Sequence, residues 1–475
     1  MISLTLTFLP TTGGTQLRWE ADVIGIRNST LHPPFANKDL ALVLRALDVL
    51  QDPTYPLPWT TAQQRHFTFD ADQQQRLTRL GLWDTLGRVS PDAPLLVGRF
   101  MFHALTADPE GAQALGTCRD HASALGAPLA LALRFPVGAV ALAALPWELT
   151  WDAGPTPLLL SRGMGGSCTR HLDLPQALPP PQRIEGPLRI VAVAPYAGLT
   201  PELRQIERAA REEAWGELVT RKQATIREIS PATRENLITT IREEQPDIVH
   251  FFGHGRYDER GGALLIDTPD GSGNWLGAGA LATLCQGVSL VALHACRGGV
   301  AGSRPSDILT GVAPALSAAG VPLVLAMQFT IRSAAAARLC AAVYAGIADG
   351  KSAQAALSHA RRVLFVEESD QVSWFVPVLY VRSRTTDPAL LRPRPDDALT
   401  TTNPIPPTRQ LISAQSGSII QGIAMQGGSA SHQHAFARAG GVIANARMRA
   451  VGAVRQILHA NDSQVEGVTM ESEEG

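Results

Sequence analysis

Runs of consecutive apolar residues mark the middle of this chain. Asp247-Ile-Val-His-Phe-Phe252 and Ser289-Leu-Val-Ala-Leu293 are apolar on successive positions and lead into glycine-bearing turns. That pattern predicts central strands of a parallel sheet covered on both faces. Around them the periodicity switches between strand and helix. Residues 187–194 read as a strand, and Thr200-Pro201 as an N-cap and first-turn proline opening a helix to about Val219. Residues 224–229 read as a second strand, and Ser230-Pro231 starts a helix ending near Glu244. A hairpin is predicted where Ala263-Leu-Leu-Ile266 turns through Pro269-Asp-Gly-Ser-Gly273. Then follow a helix near 307–319, a strand at 321–326, helices near 333–348 and 352–366, and a last strand at 374–381. Strands alternating with helices imply a parallel sheet with right-handed crossovers.

On either side of residues 187–382 the pattern weakens. Residues 1–180 read as a mixed accessory region, with strands at 2–8 and 128–134 and helical periodicity near 38–51, 71–86 and 108–124. Proline-rich joints lie at 53–58, and Leu178-Pro-Pro-Pro-Gln182 reads as a stiff link to the next part. Residues 383–408 carry six prolines among runs of threonine, a composition that buries no core and reads as a linker. Residues 409–475 form a tail rich in Gly, Ser, Gln and Ala, expected to be largely irregular or to serve assembly. From Arg409 to His459 its only formal charges are arginines.

Composition narrows the class of molecule. The 475 residues carry a net charge of −2 with 18% charged residues, so nucleic acid is not the expected partner. The five cysteines stand singly without a C-x-x-C pair, which argues against a disulfide framework or zinc knuckle and fits a reducing cytoplasm. The N-terminus alternates like a strand and lacks a basic signal-peptide region. The apolar run at 135–147 is too short to span a bilayer and contains Pro136 and Pro146. A cytoplasmic protein without a membrane segment is the expectation.

The two central runs each end in reactive chemistry. The first leads into Gly253-His254-Gly255, the second into His294-Ala295-Cys296-Arg297-Gly298-Gly299. Open α/β sheets place their sites at the carboxyl ends of strands. There an imidazole that takes up the thiol proton turns cysteine into a nucleophile for a carbonyl. Neighbouring glycines let a substrate backbone approach, and the N–H groups of Gly255 and Cys296 are the candidate oxyanion donors.

Strand–His-Gly followed by strand–Ala-Cys resembles the caspase/separase clan of cysteine peptidases, and within it the bacterial CHAT domain, the caspase-like domain often found with TPR proteins. Leu145-Pro-Trp-Glu-Leu149, Ala326-Met-Gln-Phe329 and Val372-Ser-Trp-Phe-Val-Pro377 are similar to three further stretches of that family, in the same order. The resemblance implies a caspase-like, mostly parallel α/β sheet flanked by helices, with residues 1–180 as the N-terminal accessory α/β part of the CHAT domain and 187–382 as its catalytic part. It also implies a cysteine endopeptidase that needs no metal or organic cofactor. Cys296 is then the nucleophile, His254 the base, and a protein the substrate, cleaved in a regulated defence or cell-death pathway. The rival expectation is a non-catalytic CHAT-fold adaptor that assembles or recruits a sensor or effector through its tail.

Several positions carry competing readings. His294 stands where related domains carry serine; it either tunes the thiolate or fills the core beneath the site. Arg332 stands in Phe329-Thr-Ile-Arg-Ser333, where basic-specific members of the clan carry an acid. It implies a pocket for an acidic or small residue before the cut, or is only a residue at a helix start. Asp307 is the nearest acid that could substitute, and an N-cap role is the plainer reading. Gly346-Ile-Ala-Asp-Gly-Lys-Ser352 has the wrong spacing for a phosphate loop, and Gly350 reads as a helix stop. Glu148 reads as an anchor between the two parts. In the tail, Gly417-Ser-Ile-Ile-Gln-Gly-Ile-Ala-Met-Gln-Gly-Gly428 resembles short amyloid-type signalling motifs, which implies a homo-oligomer; glycine-rich disorder is the alternative. Residues 442–458 also fit a basic amphipathic helix.

Overall fold

In the computed structural model, described residues are 2–52, 68–161, 167–173, 186–258, 261–295, 305–367 and 372–382, and in the tail 409–414, 419–421, 424–427, 432–438, 442–444, 447–451, 455–461, 464–466 and 469–473. The proline-rich joints at 53–58, the Leu178–Gln182 link, the linker at 383–408 and Cys296 with the residues to 304 lie outside them. Residues 1–394 cluster as one unit and 395–475 as another.

The first unit is built on one eleven-stranded sheet that both predicted parts share. Its strands are β1 (Ile2–Thr11), β2 (Gly14–Ala21), β3 (Gly25–Thr30), β4 (Leu129–Pro136), β5 (Ser167–Asp173), β6 (Leu188–Val193), β7 (Ala224–Ile229), β8 (Ile248–Gly253), β12 (Leu290–Ala295), β13 (Leu323–Met327) and β14 (Pro377–Val381). They lie in the order β3-β2-β1-β4-β5-β14-β13-β12-β8-β6-β7. A separate small sheet is formed by β9 (Gly255–Asp258), β10 (Gly261–Asp267) and β11 (Gly273–Gly277), so the predicted hairpin gains a third strand. Strands β6, β7, β8, β12 and β13 pair in parallel, β14 runs antiparallel to β13, and β14 joins β5 in parallel where Tyr380 faces Arg170.

Burial explains the order. In the middle strands, Ile248–Phe252 of β8, Leu290–His294 of β12 and all of β13 are buried, as continuous apolar runs require. Strands β1 and β2 alternate instead, with Leu4, Leu6 and Phe8 and then Leu17 and Trp19 turned inward. Ten helices flank the sheet among the described residues: α1 (Asn37–Val49), α2 (Ala71–Arg79), α3 (Ala93–Thr106), α4 (Pro109–Ala124), α5 (Pro201–Thr220), α6 (Arg234–Glu244), α7 (Ala278–Leu284), α8 (Pro305–Ala318), α9 (Ser333–Ala348) and α10 (Ala353–Glu367). Thr200 caps α5 by accepting from the Leu203 N–H, with Pro201 in the first turn. The helix predicted to run to residue 86 stops at Arg79, because Gly81 adopts φ +74° and a bridge joins Trp83 to Val89. Gly350, at φ +80°, lies just beyond the end of α9. None of the described helices is long and apolar enough to cross a membrane.

The two parts of the sheet are tied by a buried ion network. Glu148, in a 3₁₀ turn with Trp147 and Leu149, is fully buried and accepts from Arg170 of β5 through Nε at 3.0 Å and through Nη2. Arg361 of α10 lies 3.9 Å from the same carboxylate and donates to the Pro377 carbonyl at 2.7 Å. Gln328 accepts from Arg170 at 3.0 Å and donates to the Ala144 carbonyl at 2.6 Å. Burial pulls the Arg170 guanidinium down, but the Glu148 carboxylate outweighs it and holds it above its ordinary value. Glu148 is therefore the anchor the sequence suggests.

The second unit contains nine strands among its described residues: β15 (Arg409–Ala414), β16 (Ile419–Gln421), β17 (Ala424–Gly427), β18 (His432–Arg438), β19 (Val442–Ala444), β20 (Arg447–Val451), β21 (Arg455–Asn461), β22 (Gln464–Glu466) and β23 (Thr469–Glu473). They form three parallel sheets, β15-β18-β21, β16-β19-β22 and β17-β20-β23. Residues 442–458 are thus strands among the described residues, not an amphipathic helix: Gly440 and Gly441 just ahead and Gly452 within are poor helix formers, and the pattern is as compatible with short strands.

Candidate active site

Strand β8 carries the chain to Gly253, whose φ of +133° is a conformation that favours glycine. His254 follows, half-buried, and its backbone carbonyl accepts from the Leu265 N–H at 2.9 Å, which fixes the start of β9 against β10. The neighbouring strand β12 runs parallel to β8 in a register that sets His294 opposite Phe252 and Ala295 opposite Gly253. The sheet thus brings together the residues immediately before His254 and Cys296. Cys296 itself lies outside the described residues. Gly255 is buried at the start of β9.

Next to His254 lies a cavity of about 20 Å³, lined by residues including His254, His294, Glu207, Arg211 and Ser333. That volume holds about one water. His294 is buried in a cluster of aromatic rings, 5.4 Å from Phe252 and 6.3 Å from His250 between ring centroids. Burial, reinforced by the Arg211 charge, lowers its pKa to about 3. His294 is therefore a neutral imidazole at neutral pH, at once part of the core and part of the cavity wall. His250, stacked on Phe252 at 4.0 Å and sharing a 2.7 Å hydrogen bond with the Tyr344 hydroxyl, is held well below its ordinary value by burial and by His294.

Three contributors were not singled out in the sequence. Arg211 of α5 is a buried arginine that pairs with Glu228 at 3.3 Å and lies 4.8 Å over the Phe252 ring, placing a fixed positive charge under the site. Gly198, at φ +81°, sits against the His254 imidazole: a Cβ there would stand 3.2 Å from Cδ2 and 3.4 Å from Nε2. Asp267, at the end of β10, is buried and accepts from the N–H groups of Tyr196 and Ala197 at 2.8 Å and of Ala232 at 2.7 Å. It clasps the loops after β6 and β7, including the loop that carries Gly198 beside His254. An aspartate following an apolar strand run is the only local signal, and its partners lie 35 to 71 residues away.

The expected pocket residues are less closely drawn together. Arg332 stands at the N-cap of α9 in extended conformation, partly buried, immediately before the cavity-lining Ser333. Asp307 is the third residue of α8, in its first turn and not at its cap. The four other cysteines, Cys118, Cys168, Cys285 and Cys340, are all buried, and burial pushes the Cys118 thiol up to about 11 and the Cys285 and Cys340 thiols up to about 12. None of the four has the environment of a reactive thiolate.

A family model described as CHAT domain matches residues 103–434, more than half of the chain. A comparison with curated proteins gave no match. Among solved structures the chain is similar to two crystal structures of the Saccharomyces cerevisiae separase–securin complex, each at 12% sequence identity, with TM-scores of 0.41 and 0.43. These similarities cover 80% of this chain and 30% of the other, so the chain spans about 30% of the length of the chains it matches.

Proposed function

The chain belongs to the CHAT domain family, and from that membership and the site geometry we propose that it is a cysteine endopeptidase with Cys296 and His254 as its catalytic pair. The observation that carries the reading is the β8–β12 register, in which Gly253 and Ala295, the residues just ahead of His254 and Cys296, stand side by side. The surroundings support it. His254 is half-buried at a strand end, Gly198 leaves room for its ring, and the four described cysteines are buried with raised pKa values.

In the proposed reaction His254 accepts the Cys296 thiol proton, and the thiolate sulfur bonds to the scissile carbonyl carbon. The carbonyl oxygen becomes an oxyanion facing the N–H groups of Gly255 and Cys296. Collapse of the tetrahedral intermediate breaks the C–N bond as His254 returns the proton to the leaving amine. Water then hydrolyses the thioester, releasing the acid and restoring the thiol. The substrate is a protein. Its cleavage in a regulated bacterial defence or cell-death pathway is a further part of the proposal, resting on the family resemblance alone.

The test is a comparison of new protein termini in cells expressing the wild type and Cys296→Ala. Cuts that require Cys296 support an endopeptidase. Identical termini in both, with neighbouring gene products co-expressed, would favour a non-catalytic adaptor. The residue before each cut also decides whether Arg332 selects an acidic side chain.

A further inference from the structure

The tail contains a repeat that its composition hides. Parallel pairing sets Arg409 beside His432 and His432 beside Arg455, both at an offset of 23 residues. Ala424 pairs with Arg447 at the same offset, and Arg447 with Thr469 at 22. Each unit has a first strand of six or seven residues, a second of three and a third of four or five. Register positions coincide in sequence as well: Gln410, Gln433 and Gln456 stand in one row, Ala414, Ala437 and Ala460 in another, and Met425, Met448 and Met470 in a third. Three copies of one unit therefore stack as coils, each coil pairing in parallel with the next, the arrangement of a solenoid.

In such a stack a coil is the template for its neighbour. The middle coil, β18, β19 and β20, has a partner coil on both sides. Among the described residues the first coil, β15, β16 and β17, and the last, β21, β22 and β23, each pair on one side. The outer side of an edge strand presents a row of N–H and C=O groups that another strand of the same spacing can meet. The residues just ahead of β15 include Pro404, Pro406 and Pro407, which have no N–H to give to a ladder. The strand set that fits the outer side of the first coil is the repeat itself.

We propose that the tail joins copies of this chain head to tail, the last coil of one copy continuing in parallel onto the first coil of the next. Extending the register by one coil brings Gln456 beside Gln410 and Met470 beside Met425 of the following copy. Charge permits this junction. Counting the described strands, the last coil's formal charges are Arg455, Glu466, Glu471 and Glu473, and the first coil's is Arg409 alone. Glu466 then falls beside Gln421 and Glu471 beside Gln426, so no acid meets an acid. The single like-charged pair is Arg455 with Arg409, a cost of a few tenths of a kcal/mol to about 1 kcal/mol. Because the two joined surfaces differ, the contact does not close on itself and propagates as a filament. This inference stands apart from the peptidase reading and does not depend on Cys296.

The test uses the full chain in sedimentation velocity and negative-stain electron microscopy. The wild type is expected to form linear polymers that lengthen with concentration. Neighbouring residues of a strand aim their N–H groups at opposite neighbours, so of Leu411→Pro and Ile412→Pro one blocks only the outer side of the first coil. Ile457→Pro and Leu458→Pro do the same for the last coil. Polymers are lost in the variant of each pair whose N–H faces outward. Mixing a first-coil variant with a last-coil variant restores one intact junction, and at least one of the four mixtures yields a 1:1 dimer of twice the 50.6 kDa chain and nothing longer. A wild type that remains monomeric to about 100 μM, polymers that persist in all four variants, or four mixtures without a dimer would each overturn the proposal.

Discussion

Asp267 is where the account of the site is most exposed to a stability measurement. Its Oδ1 accepts from two backbone N–H groups, those of Tyr196 and Ala197, and its Oδ2 from that of Ala232. In Asp267→Ala all three donors lose their acceptor. Ala197 and Ala232 are buried, so water does not readily replace it, while Tyr196 is partly exposed. At about 1–3 kcal/mol for each of the two orphaned buried donors, and little for the third, the loss is about 2–6 kcal/mol. That is a large fraction of the roughly 5–15 kcal/mol that holds a domain together. Asp267→Asn is expected to fall between: its oxygen can keep Tyr196 and Ala197, and its amide then faces the Ala232 N–H, a loss of about 1–3 kcal/mol. Urea unfolding followed by tryptophan fluorescence gives the order wild type, Asn, Ala, with the wild-type and Ala midpoints about 0.7–2 M apart if m is near 3 kcal/mol per M. An Ala variant within about 1 kcal/mol of wild type would refute the clasp, because the three donors would then be satisfied without the carboxylate.

Other expectations follow from the same geometry. Gly198→Ala pushes a methyl to within 3.2 Å of the His254 ring, and at about a hundredfold per ångström of misplacement a shift of a few tenths slows Cys296 chemistry about 3- to 5-fold. Gly287→Ala is its control: φ is +87° with nothing within 4 Å, so it carries the backbone cost of about 1 kcal/mol without touching the site. Glu148→Ala leaves Arg170 and Arg361 buried without their carboxylate and should cost about 3–5 kcal/mol in urea unfolding, whereas Glu148→Gln, which retains an acceptor, costs less. The buried imidazole of His294 makes the fold acid-sensitive. Its folded pKa, about 3, lies below the ordinary 6.5, so the unfolded chain binds the extra proton, and stability present above pH 6.5 is lost as pH falls toward 3. The His294 share is about 2 kcal/mol by pH 5. Stability measured between pH 7 and 5 should decline less steeply in His294→Ser than in the wild type.

Much of the central sheet is legible in the sequence because its strands are apolar on successive residues and its helices start on caps such as Thr200-Pro201. Strand β5 is not, since Ser167-Cys-Thr-Arg-His-Leu-Asp173 looks like a loop yet is buried except at its end. Its polar residues are satisfied within the fold: Arg170 by Glu148 and Gln328, and Thr169 by a 3.0 Å hydrogen bond with His171 in the same strand. Helix α3 is not legible either, because Ala93–Thr106 is apolar on several faces and shows no clean stripe, and the β2–β3 meander lies among short polar runs. At the site, His254 and Cys296 stand out because each follows an apolar strand. Gly198, Arg211 and Asp267 do not, because their roles exist only once distant loops meet. The coils of the tail escape notice for a different reason: their repeat preserves strand spacing and a few rows, such as the three methionines, amid otherwise dissimilar residues.

The central claim, that His254 activates Cys296, is tested most directly by the rate of iodoacetamide alkylation at each cysteine, resolved by mass spectrometry at pH 7. In the wild type Cys296 should react well ahead of Cys118, Cys168, Cys285 and Cys340, which burial keeps as thiols. In His254→Ala its rate should fall about tenfold, toward that of an ordinary thiol, while the other four are unchanged. Equal Cys296 rates in the two proteins would contradict the account.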